Sequence, residues 1–151
     1  MRLLFLFVFL TGISYSQITI SELIKVAKMD TESFEIYAMD RGYKFDTAED
    51  SQGTPVLVYF LNDYSHRLTR YLKHFNFGVR EFGMEYQTNT TELNNIYKEL
   101  NTLGFKMTEM EIKKHDADVV KKYKRGRELV TIFLKSDILF IGYHFRLSDG
   151  N

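Results

Sequence analysis

Two short stretches of this chain match each other where a helix should give way to a strand. Gly42-Tyr43-Lys44-Phe45 and Gly104-Phe105-Lys106-Met107 both read glycine, aromatic, lysine, apolar. Each follows an apolar helical stripe, Phe34 and Ala38 in one case and Ile96 and Leu100 in the other, at the same distance from the glycine. A glycine just past a helix ends it, because glycine takes left-handed backbone without a Cβ clash. The chain therefore divides into two blocks, each opening on helix and continuing as strands.

Ser21 caps a helix over about 22–28, with Leu23, Ile24 and Ala27 on one side, and Asp30 or Thr31 caps a second over about 31–41. Strands follow at 43–47, 56–61, 67–77 and 81–88, with polar turns at 48–54 and 62–65. The 56–61 run is apolar on both faces, as in a strand with neighbours on both sides. The 81–88 segment alternates, with Phe82, Met84 and Tyr86 one way and Glu81, Glu85 and Gln87 the other. Thr90 or Thr91 opens a third helix over 91–103, and strands return at 105–112, 119–124, 129–135 and 138–147. Runs of strands broken by helices predict an α+β fold, an antiparallel sheet covered by helices on one face. Two tandem helix-plus-meander repeats, about 21–88 and 89–147, would explain the matching junctions. The alternative is two unrelated junctions that each use glycine for its own sake.

The first sixteen residues stand apart from this pattern. Met1-Arg2 carries one charge, Leu3–Leu10 is apolar without interruption, and Ser14 and Ser16 place small residues before a cut between Ser16 and Gln17. That is the layout of a secretory signal peptide. A spanning helix needs roughly 20 apolar residues, so no transmembrane segment is expected in the mature chain. The expectation is an exported protein, periplasmic or extracellular, with a single domain over 17–151. That length can bury a core without staples, in keeping with the absence of cysteine.

The segments Asp30–Phe45, Tyr86–Thr91 and Leu100–Met107 resemble small exported proteins of flavobacteria, within the Bacteroidota, a group that carries no assigned activity. At the level of fold the helix–meander repeat is similar to exported inhibitor proteins that bind β-lactamase. Those repeats are usually stapled by disulfides and this chain has no cysteine. Fold does not imply function, so the resemblance implies architecture alone.

No catalytic residues are assigned. There is no Gly-x-Ser-x-Gly elbow and no Ser-x-x-Lys, and His66, His74, His115 and His144 form no His-x-x-x-His pair. His115-Asp116-Ala117-Asp118 has the side chains of a cation site and the composition of a solvated turn, and the turn is the reading adopted. Gly78 and Gly83 have P-loop spacing, but Met84 stands where the lysine should be. Glu109 and Glu111, in line with Lys113, read as a solvated stripe, and so do Glu81 and Glu85. No metal site and no cofactor is predicted.

Lysine and arginine balance aspartate and glutamate at 20 each, so no global field draws nucleic acid. Locally, Lys113, Lys114, Lys121, Lys122, Lys124, Arg125 and Arg127 crowd one predicted hairpin. Lys121, Lys122, Tyr123, Lys124, Arg125 and Arg127 are the candidate binding residues, for an anionic glycan or other polyanion. Lysines that guard an edge strand against aggregation are the competing explanation. Tyr59, Tyr71, Phe75, Phe77 and Tyr86 could line a sheet face. The function expected is non-enzymatic binding of another macromolecule, a protein or an anionic glycan, through an open sheet face or the basic hairpin. The alternatives are a polyanion or small-ligand binder and a cryptic hydrolase.

Overall fold

The computed structural model describes residues 17–50, 55–61, 66–74, 80–113, 118–136 and 138–147. Residues 1–16, read above as a signal peptide, together with Phe75, Phe77, Lys114, His115–Ala117 and residues 148–151, lie outside the described residues.

Helix α1 (Ile20–Ala27) is capped by the Thr19 side chain, which accepts from the Glu22 N–H; Ser21 lies inside the helix instead of capping it. The reason is tertiary. The N–H groups of Ile20 and Ser21 both donate to the Glu99 carboxylate at 2.8 Å, so a distant acid satisfies the first-turn donors that a local cap would otherwise leave open. Helix α2 (Thr31–Asp40) starts at its expected cap, Asp30, whose carboxylate accepts from the Ser33 N–H. Helix α3 (Leu93–Thr102) is entered through a 3-10 turn at Thr90–Glu92 that Asn89 caps, in place of Thr90 or Thr91.

The strands are β1 (Lys44–Asp50), β2 (Pro55–Phe60), β3 (Arg67–His74), β4 (Arg80–Asn89), β5 (Lys106–Lys113), β6 (Asp118–Arg125), β7 (Glu128–Lys135) and β8 (Ile138–Leu147). They form one antiparallel sheet in the order β1-β2-β3-β4-β8-β7-β6-β5. β1 is longer than expected: Ala48–Asp50, read as turn, pair with Val56, Leu57 and Pro55 of β2. β2 is hydrogen-bonded on both sides, as its two apolar faces require. The fold is thus α+β, with helices packed on an eight-stranded antiparallel sheet.

The two blocks share one form of helix-to-strand junction. Gly42 and Gly104 both have φ of 79°. Tyr43 N–H donates to Ala38 O and Gly42 N–H to Met39 O, and Phe105 to Leu100 and Gly104 to Asn101 do the same. These are Schellman closures. Each is followed by a register shift at the same point of the first strand, between Phe45 and Thr47 and between Met107 and Glu109. Phe34, Ala38 and Tyr43 are buried, and so are Ile96, Leu100 and Phe105. β4 and β8, the last strands of the two blocks, pair along their whole length, which relates the meanders by an approximate two-fold axis at this seam. α1 has no counterpart in the second block; it packs against β4, β8 and both other helices.

Register assigns the faces. Leu68, Met84, Tyr86, Ile141, Tyr143, Ile132 and Val130 share one face and are buried with Leu23, Val26, Phe34, Ile96 and Leu100 of the helices. This is the core, and each fully buried side chain of this size contributes roughly 1.5–3 kcal/mol. Tyr59 and Tyr86 are part of it, Tyr59 meeting Phe34 edge to face at 5.4 Å. They therefore do not line a free face. At the two sheet edges the helix cover runs out, leaving Phe45 55% exposed on β1 and Met107, Met110 and Ile112 51–60% exposed on β5.

Candidate functional site

The other face of the sheet carries no helix among the described residues. Its middle is the β4–β8 seam, where Gly83 pairs with His144 and Glu85 with Gly142. Each large polar side chain therefore faces a glycine, and backbone forms the floor between them. A glycine inside a strand permits close approach, and at Gly142 the His144 imidazole makes it. A hollow of about 330 Å³ opens there, lined by Glu85, Thr131, Phe133, Phe140, Gly142 and His144. That is the lower end of the size range of small-molecule clefts.

Strand alternation builds the walls. In β8, Leu139, Ile141 and Tyr143 enter the core, so Phe140, Gly142 and His144 emerge on the open face. In β7, Val130 and Ile132 enter the core and Thr131 and Phe133 emerge. Phe133 and Phe140 are directly paired, with ring centroids 5.8 Å apart. The His144 imidazole lies over Gly142: a Cβ there would stand 3.2 Å from His144 Nε2. Glu85 is exposed. A smaller recess on the same face, lined by Arg67, Thr69, Glu85, Gln87 and Phe140, continues toward β3. There the Arg67 guanidinium lies 5.7 Å from the centre of the Phe60 ring. Further out, the paired Val58 and Thr69 are buried.

The basic candidates are distributed by the same alternation. Lys121 is on the helix face, where its Nζ donates to Tyr97 OH at 2.8 Å and sits 4.6 Å from that ring. Lys122 is on the open face, paired with Glu109 at 2.9 Å. Tyr123 is 9% exposed, its ring 6.1 Å from Tyr97 under α3. Arg125 pairs with Glu128, donates to the Leu103 carbonyl and lies 4.5 Å from the Phe105 ring centre. Lys124 and Arg127 are exposed. The six therefore occupy both faces of β6 and its turn, and only these last two lack an ion pair or ring contact among the described residues.

The other polar candidates are also separated. His66 stacks beside Tyr86, 6.1 Å between ring centres, on the face opposite His144. Tyr71 and His74 both lie in β3. Among the described residues no group of three or more His, Asp or Glu is placed to hold a metal ion, and no helix is long and apolar enough to cross a membrane.

Glu128 is on the helix face. Burial alone would raise its carboxyl, but hydrogen bonds from Tyr143, Arg125 and Lys28 hold it below the usual carboxylate range. With three donors saturating it, this acid ties the second meander to α1.

Sequence reasoning passed over Phe133, Phe140 and Gly142. The available signal was in β7 and β8, which are apolar on both faces although helices could cover only one, with a glycine at the centre of β8. No protein-family model, no curated protein and no solved structure matches this chain.

Proposed function

We propose that this is a non-enzymatic binding domain that docks another macromolecule, most simply a protein, on the open face of its sheet. The observation that supports this reading is the aromatic-walled, glycine-floored hollow at the seam. Rigid strands hold every residue of its lining, and a preorganised surface of that kind lowers the entropy lost on binding. An export route for the chain and a partner met outside the cytoplasm belong to the same proposal and rest on the leader pattern of residues 1–16. A basic-hairpin polyanion site has less support, since Lys121, Lys122 and Arg125 already have partners.

The test places a photo-crosslinking residue at Thr131 on the open face or at Glu32 on α2, in the intact protein exposed to an envelope extract of the source cells. A specific adduct from position 131, lost in Phe140→Glu and kept when Lys124 and Arg127 are neutralised, is expected. An adduct from position 32 alone, or one that depends on Lys124 and Arg127, would overturn the reading.

A further inference from the structure

We infer that the seam hollow is a pocket for one arginine side chain of the docked protein, with Glu85 as its specificity-determining residue. This rests on the open face being the docking surface. Glu85 is exposed and lines the hollow, and it forms no hydrogen bond or ion pair among the described residues. Its neighbours there are Phe133, Phe140, Thr131, Gly142 and His144. An occupant that seals this hollow removes water from the carboxylate. An apolar or acidic occupant would leave a desolvated, unpaired charge, which is strongly unfavourable. The occupant must therefore bring a cation.

The walls choose among cations. A guanidinium is planar, more weakly hydrated than an ammonium, and stacks on aromatic faces while presenting two parallel N–H groups to a carboxylate. Phe140, whose ring centre lies 5.8 Å from that of Phe133, offers such a face beside Glu85 in the hollow. The protein's own guanidinium on this face, Arg67, is turned to Phe60. It lies across Glu85 from the hollow, in the adjoining recess.

The test uses N-acetyl-argininamide against N-acetyl-citrullinamide, a neutral isostere, titrated into the 15N-labelled intact protein. Saturable shifts of the Gly142, Thr131 and Glu85 amide signals are expected with the arginine probe, at an affinity at least tenfold above the citrulline probe. Glu85→Gln should abolish that difference and leave the spectrum of the rest of the protein unchanged. Phe140→Leu, which keeps the carboxylate, should weaken the arginine probe about threefold or more. Equal affinity for the two probes, or arginine shifts confined to other surfaces, would overturn the assignment. The crosslink from position 131 separates the two ideas. If it survives Glu85→Gln undiminished, the docking face stands and the arginine pocket falls. If no crosslink forms there, the docking face itself falls.

Discussion

Glu128 shows how one side chain couples parts of the molecule that the chain keeps far apart. It accepts from Lys28 of the first block, from Arg125 three residues away, and from the buried Tyr143 hydroxyl. Burial, with the carboxylate as its acceptor, raises the Tyr143 phenol. The carboxyl of Glu128 is lowered from the ordinary value of 4.5, so the folded state favours its charged form. Its contribution is complete above that value and is lost as pH falls through the lowered folded value. We expect Glu128→Gln to be less stable by about 2 kcal/mol at neutral pH, the scale of hydrogen bonds to a charged group. Its stability should also decline less steeply below pH 4.5. Urea denaturation at pH 7 and pH 3 checks both. Nothing near Glu128 in the chain announces these partners except Arg125. The same limit applies to the basic run: its charge density was legible in the sequence, but a strand turns successive lysines to opposite faces, and the acids that pair with them come from other strands.

At the scale of the element, the helix ends were the most legible feature. Both glycine junctions fall where the sequence places them, because a left-handed residue after an apolar helical stripe is a local requirement. A Cβ on Gly104 would meet nothing within 4 Å, so Gly104→Ala isolates the backbone term. It should destabilise the protein by about 1–2 kcal/mol, measured by thermal or urea unfolding, with Gly104→Asn less affected because asparagine tolerates that conformation. Helix starts were less legible. Thr19 and Ser21 are both good caps, and the choice between them depends on Glu99, far along the chain. The seam hollow has the same character. The ranges of β7 and β8 were legible in the sequence, but only the pairing of β4 with β8 places Glu85 opposite Gly142.

At the scale of the molecule, the order of strands was not legible, since eight antiparallel strands joined in two meanders can be set side by side in more than one way. The structure joins them at β4 and β8, and α1 packs against both of those strands on the covered face. The two blocks are thereby interdependent: Glu99 holds the first turn of α1, and Lys28 near its end reaches Glu128. Glu99→Ala should lower the melting temperature by roughly 3–8 °C without splitting the transition. Two resolved transitions in calorimetry would mean that the blocks unfold separately. The bond from Glu99 to the first amides of α1 also carries a consequence in time. A chain made from its N-terminus exposes residues 20 and 21 long before residue 99 exists. The first donors of α1 are held by water until Glu99 has been made, so this helix reaches its final form only after the third helix has joined it.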